Sequence, residues 1–111
     1  MPVPSRRALS ATEIVTQLTQ LNGDAAQGWK LLDGALEKTF RFAHFHDTMA
    51  FVNAVAWVAH RQDHHPDLAV SYAHCTVRLC THDVNGLSVS DFAAAAAVDG
   101  LLAAHSSRQV V

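Results

Sequence analysis

Two adjacent histidines, His64 and His65, stand between an aspartate and a proline, and a third histidine follows at His82. Histidine is the side chain that most readily gains or loses a proton near neutral pH. Several imidazoles around one cleft can protonate one atom of a bound molecule and deprotonate another without any cofactor. The pattern therefore predicts a site of general acid–base chemistry built from these three histidines.

Pro66 indicates where the histidine pair lies in the fold. A proline disfavours helical geometry at the preceding residue, so a helix is expected to end close to the pair. Asp91, nine residues after His82, has two interpretations that the sequence leaves open. It lies three residues after Ser88, where a carboxylate can complete the N-terminal cap of a helix, and it can equally well support the histidines.

A metal site is the main chemical alternative. His60 and His64 are four residues apart, a spacing that can bind zinc on one face of a helix. The remaining ligands would have to come from Asp63, Cys80 or His82. However, helical geometry is expected to fail before Pro66, and no cysteine pair or glutamate stands at a familiar offset. We therefore predict a site without a metal and without a cofactor.

The chain has 111 residues, of which half are apolar and 16% are charged, and its net charge is -2. This composition predicts a single folded domain with one core. The charge argues against binding to nucleic acids or membranes through a basic surface. We assign residues 1–9 to a flexible N-terminal arm, residues 10–105 to the domain and residues 106–111 to a C-terminal tail.

The sequence also predicts a cytoplasmic location. Its start has no apolar run typical of a signal peptide, and no segment approaches the roughly 20 apolar residues of a membrane span. Cys75 and Cys80 lie in one predicted strand at an odd spacing, so they should point to opposite faces and stay unbridged. Free thiols are typical of a reducing compartment.

Local patterns predict three helices and three strands. Ser10 and Glu13 form a capping-box pattern, and the first helix should end near Gly23. Asp33-Gly34 suits a tight turn between two short strands. A second helix is predicted over residues 47–61, a long alternating strand over residues 70–81, and a last helix after Ser88. The order α-β-β-α-β-α predicts an α+β fold, a two-layer antiparallel sheet with helices packed on one face.

Two features predict an assembly of identical chains. The helix over residues 47–61 is apolar nearly all round, so one side should face the sheet and another should need a partner. The predicted strand over residues 70–81 could also form a sheet edge, which natural proteins rarely leave bare. Closed symmetric assemblies cover both surfaces, so we predict a homodimer or homotetramer.

Taken together, these motifs resemble the pterin-4a-carbinolamine dehydratase family. The resemblance covers nearly the whole chain after about residue 10. It rests on the joint spacing of Asp63-His64-His65-Pro66-Asp67, Tyr72, Thr81-His82-Asp83, Gly86-Leu87-Ser88 and Asp91.

The resemblance implies loss of water from a 4a-hydroxytetrahydrobiopterin that an aromatic amino acid hydroxylase has produced, which would make the hydroxylase a partner. It implies that His65 is the base and that His64 and His82 are acids, with Asp91 orienting the site. Contacts with the pterin are implied for Asp63, Pro66, Thr81 and Asp83.

Two positions depart from the family pattern. His60 stands where the family often has a glutamate, and we assign it a supporting role; Leu68 stands where a tryptophan is common. Relatives of this family also act as dimerisation or assembly cofactors, so the alternative function is a non-catalytic scaffold on the same fold. Such a relative should have lost motif histidines, whereas this chain keeps all three.

Overall fold

Three helices and one four-stranded antiparallel sheet make up the protein, which confirms the predicted α+β fold. The structure is a computed structural model, and it describes the backbone of residues 7–25 and 27–109 and the side chains as far as residue 102. The elements in chain order are α1 (Ala11–Asn22), β1 (Lys30–Leu32), β2 (Ala35–Arg41), α2 (Phe45–Gln62), β3 (Asp67–Val70), β4 (His74–Leu79) and α3 (Val89–Gln109).

The prediction of one long strand over residues 70–81 is wrong. The segment contains a chain reversal at residues 71–73, so β3 ends at Val70 and β4 begins at His74. The main-chain N–H of Ser71 donates to the carbonyl of His74, and Thr48 on α2 donates its hydroxyl to the Tyr72 carbonyl, which anchors the turn. The sheet order is β1-β2-β4-β3, so β4 lies inside the sheet and β3 forms its edge.

The helices cover one face of the sheet. The inward side chains of β4 (Cys75, Val77 and Leu79) are buried, whereas the residues between them are only partly covered. This alternation is the one expected of a strand with one buried and one open face. Leu36 and Phe40 continue the buried face on β2, and helix α2 packs Phe51, Val55 and Val58 against it.

Lys38 points towards the same covered side of the sheet, where a charge would ordinarily be unfavourable. Its Nζ lies 2.9 Å from Oδ1 of Asp99 on α3 and 4.9 Å from the centre of the Phe40 ring. Trp29 donates its indole N–H to Oδ2 of the same aspartate over 3.1 Å. Lys38 therefore joins β2 to α3 through an ion pair with Asp99. Its charge is tolerated on the covered side because it is paired and hydrogen-bonded.

The predicted local signals at the start of the chain are confirmed. Ser10 and Glu13 form both bonds of the capping box, and α1 ends at Asn22 before Gly23. Asp33 and Gly34 both have positive φ, as a two-residue hairpin turn requires.

The predicted domain boundaries are partly outside what the structure describes. Residues 1–6 of the predicted arm and residues 110–111 of the predicted tail lie outside the described residues. Within the arm, Leu9 donates its main-chain N–H to the Leu87 carbonyl. At the other end, α3 continues to Gln109, past the boundary predicted at residue 105. No helix of the described part is long and apolar enough to span a membrane.

Candidate active site

The C-terminus of α2 separates the environments of the two adjacent histidines. Asp63 adopts a left-handed conformation, and its N–H bonds to the carbonyls of Ala59 and His60. The N–H of His64 bonds back to the Ala59 carbonyl over 3.1 Å. These bonds form a Schellman motif, which ends a helix and turns the chain sharply. The turn directs His64 into the protein and leaves His65 exposed.

His64 is held by a buried carboxylate. Its Nε2 lies 2.5 Å from Oδ1 of Asp91, and the two side chains are 6% and 0% exposed. The two residues are 27 positions apart, so the contact joins the end of α2 to the start of α3. A carboxylate that accepts a hydrogen bond from an imidazole fixes which ring nitrogen carries the proton and how the ring is turned.

Asp91 also caps helix α3, in addition to its contact with His64. Its Oδ2 accepts the main-chain N–H of Ser88 over 2.9 Å, and the Ser88 hydroxyl accepts the main-chain N–H of Ser90. The same Oδ2 accepts the Thr81 hydroxyl over 2.7 Å. Together with the bond from His64, the carboxylate receives three hydrogen bonds. This arrangement compensates for burial of its charge.

The second ring nitrogen of His64 is not fully enclosed. Nδ1 bonds to none of the described residues, and no fully buried side-chain nitrogen or oxygen among them lacks a partner, so Nδ1 retains some contact with solvent although the side chain is 6% exposed. With Nε2–H directed at Asp91, the proton that can be exchanged with a bound molecule is the one on Nδ1.

His82 lies beside this pair in a short closed loop. Thr81 and Gly86 pair through their main chains, and residues His82–Val84 form a single 3-10 turn between them. Thr81 is therefore the chain neighbour of His82, and its hydroxyl donates a hydrogen bond to Asp91. The His82 ring is exposed.

Cys80 borders the same region. Its Sγ lies 3.9 Å from Nδ1 of His82. The pKa of the Cys80 thiol is raised, first by burial and then by the negative charges of Asp91 and Asp67. Cys80 is therefore a neutral thiol at neutral pH. Both cysteines are free, as the odd spacing predicted.

The structure brings together only part of the predicted site. His64 contacts Asp91, and Thr81 ties this pair to His82. His65 makes no hydrogen bond to any described residue, and the His82 ring contacts Cys80 rather than His64, so the convergence of the three histidines stays a prediction. The remaining predicted residues flank the site along the chain: Asp63 ends α2, Pro66 precedes β3, and Asp83 follows His82 in the 3-10 turn.

His60 lies on the outer side of α2. Its ring packs edge-on against Trp57 with the ring centres 5.8 Å apart, and the two residues line a shallow surface cavity with Asn53 and Ala56. The predicted supporting role of His60 stays a prediction. Among the described residues, no group of three histidine, cysteine, aspartate or glutamate side chains is arranged to hold a metal ion.

Sequence analysis missed two participants. It treated Ser88 only as a helix cap, although its hydroxyl lies 2.7 Å from that of Thr81 inside the buried cluster. It considered Cys80 as an unbridged thiol and as a possible zinc ligand but not as a neighbour of His82, although Cys80 stands two positions before His82 in the sequence, which was the available signal.

The comparisons with known proteins agree with this fold. Residues 7–101 match the family described as Pterin 4 alpha carbinolamine dehydratase. A protein of Paracidovorax citrulli named "Putative pterin-4-alpha-carbinolamine dehydratase" is 57% identical over 103 residues, which cover 90% of this chain and 85% of that protein. A protein of Nitrosomonas eutropha with the same name is 48% identical over 100 residues, covering 90% and 82%.

Two solved structures are similar to this one. A transcriptional coactivator/pterin dehydratase from Brucella melitensis has a TM-score of 0.77 and 28% identity, over 85% of this chain and 97% of that one. A pterin dehydratase-like protein described as a RuBisCO assembly factor has a TM-score of 0.60 over 68% of this chain and 90% of that one. At 24% identity, this second likeness supports the fold alone.

The α+β fold and the buried histidine–aspartate pair that joins α2 to α3 define a class of small α+β domains. Within that class, this chain belongs to the pterin-4-alpha-carbinolamine dehydratase family.

Proposed function

We propose that this protein removes water from 4a-hydroxytetrahydrobiopterin to give the quinonoid dihydropterin. The observation that carries the proposal is the buried His64–Asp91 pair, tied through Thr81 to His82. Family membership supports the same chemistry. The substrate would come from an aromatic amino acid hydroxylase, and the reaction would recycle its pterin cofactor in the cytoplasm.

The reaction needs one acid and one base. A protonated imidazole gives its proton to the hydroxyl oxygen on C4a, and the C–O bond breaks with both electrons leaving in water. A neutral imidazole takes the proton from N5, and the N–H electron pair forms the C4a=N5 double bond. Each proton transfer contributes typically 10²–10⁴-fold to the rate, and no redox change occurs.

The geometry supports an acid role for His64. Asp91 accepts Nε2–H and would stabilise the imidazolium form, as the aspartate of a catalytic triad does, and Nδ1 is the nitrogen open to the substrate. We assign the second acid to His82 and the base to His65, whose ring is free of bonds to the described residues. Asp63, Pro66 and Asp83 would line the pterin, and His60 would support the site from α2.

The test is dehydration of carbinolamine generated enzymatically, measured against the uncatalysed reaction. We expect the wild-type protein to accelerate the reaction and His64→Gln to lose most of the acceleration, because the amide cannot deliver a proton. His46→Gln, which changes an exposed histidine near the start of α2, should match the wild type. A wild-type rate equal to the uncatalysed rate would refute the proposal.

The second candidate is a non-catalytic scaffold or dimerisation cofactor. One observation favours it, namely the surface of α2 on which Trp57 is 65% exposed. Absence of turnover in folded wild-type protein, together with self-association through α2, would support this role instead.

A further inference from the structure

We propose that Thr81 and Ser88 are positioning residues, which hold Asp91 so that His64 keeps its proton on Nε2 and presents Nδ1 to the substrate. The inference rests on the proposed function for its kinetic consequence. Its structural consequence, the proton position on the His64 ring, is independent of any activity.

The hydrogen bonds of the cluster have a single consistent direction. An ionised carboxylate only accepts hydrogen bonds, so the Thr81 hydroxyl must be the donor to Oδ2 of Asp91. The Thr81 oxygen can then only accept from the Ser88 hydroxyl, 2.7 Å away. The Ser88 oxygen accepts from the Ser90 main chain. The chain of donors therefore runs from Ser88 to Thr81 to Asp91, and it leaves the other carboxylate oxygen to His64.

Helix capping alone does not explain this arrangement. The cap of α3 needs the Ser88 hydroxyl as an acceptor and the Ser88 N–H as a donor to Asp91. Thr81 lies outside the helix, ten residues before Asp91, and its hydroxyl bonds to the side chains of Ser88 and Asp91 and to no main-chain N–H group among the described residues of α3. Thr81 is nevertheless 2% exposed, and both of its hydroxyl contacts are within the cluster. Thr81 is also the chain neighbour of His82, the second proposed acid.

Loss of the Thr81 hydroxyl should loosen Asp91. Oδ2 would then accept only the Ser88 N–H. The carboxylate could rotate, and its hydrogen bond to His64 would no longer be held in one geometry. Removal of the outer partners of a histidine–carboxylate pair costs about 10- to 100-fold in comparable metal sites. We expect a loss of this size in kcat for Thr81→Val, with KM nearly unchanged, because the hydroxyl is not open to the substrate.

Imidazole ¹⁵N chemical shifts of the ligand-free protein test the inference directly, at a pH where the rings are neutral. In the wild type we expect His64 to be the Nε2–H tautomer. Thr81→Val should give a mixture of tautomers, and Thr81→Ser, which keeps the hydroxyl, should restore the wild-type signals. The matched control is Thr76→Val, which removes a hydroxyl that bonds to Thr39 on the open face of the sheet.

A Thr81→Val protein with the wild-type tautomer and the wild-type kcat would overturn the inference. If that variant fails to fold, Thr81→Ala provides the same test, because it removes the hydroxyl without adding bulk. If the wild type has no dehydratase activity, the proposed function fails, whereas the tautomer measurement still decides whether Thr81 positions the pair.

Discussion

His64 and His65 are neighbours in the chain but occupy opposite environments. The Schellman turn at Asp63 rotates the chain so that His64 is buried against Asp91 and His65 faces solvent. A buried imidazole with a carboxylate partner is fixed in orientation, whereas an exposed one can follow a substrate. This difference is the physical basis for assigning different roles to two identical side chains.

His65→Ala should therefore separate activity from stability. We expect kcat to fall by roughly 10²-fold or more, because a general base is lost. The free energy of unfolding should change by no more than about 0.5 kcal/mol, as is usual for an exposed position. Turnover and urea unfolding of the same preparation provide the measurement, with His46→Ala as the control. Equal kcat in His65→Ala and the wild type would remove His65 from the mechanism.

The N-terminus of helix α1 is stabilised by a charged cap. Glu13 accepts the Ser10 N–H, and Arg7 donates two hydrogen bonds to the same carboxylate. These bonds, first those of Arg7 and then that of Ser10, lower the pKa of Glu13 from its ordinary 4.5 to about 2. The carboxylate is accordingly more acidic in the folded than in the unfolded protein.

The sign of the resulting pH dependence follows from linkage. A carboxyl group whose pKa is depressed by folding contributes stability that is full above pH 4.5 and is lost as the pH falls towards 2. The wild type should therefore lose more stability than Glu13→Gln over this interval. Thermal unfolding at several pH values measures the difference. Asp24→Asn, an exposed carboxylate in the following loop, is the control, and parallel curves for the wild type and Glu13→Gln would contradict the prediction.

At the scale of the whole molecule, the described surface carries several large apolar side chains. Trp57 is 65% exposed on α2, and Phe45 stacks on Tyr72 with the ring centres 6.4 Å apart, both largely exposed. The edge strand β3 adds Val70. Soluble monomers rarely expose large contiguous apolar patches or unprotected sheet edges, so we retain the proposal of a homodimer or homotetramer.

Light scattering at micromolar concentration should give a mass of at least twice the 12.0 kDa of the chain. Trp57→Lys should lower that mass if α2 forms the interface, and Val70→Lys should do so if the sheet edge does. Val15→Lys is the control, because Val15 is similarly exposed on α1, at 63%. A wild-type mass near that of one chain would end the proposal.

Features encoded within a few residues could be predicted from the sequence. The capping box at Ser10, the hairpin turn at Asp33-Gly34 and the end of α2 before Pro66 all depend on local backbone preferences, which are readable without the rest of the fold. Alternation also predicted strand structure in the region of β4, where every second side chain is buried. These local features were sufficient for the α+β fold.

The tertiary structure decided what depends on distant partners. Alternation continues through residues 70–81, and only the pairing of Val70 with Cys75 reveals the chain reversal. The contact of Asp91 with His64 joins residues that are 27 positions apart. The energies of hydrogen bonds and buried charges depend on which groups come into contact after folding. The spacing of residue types along the chain does not specify those contacts.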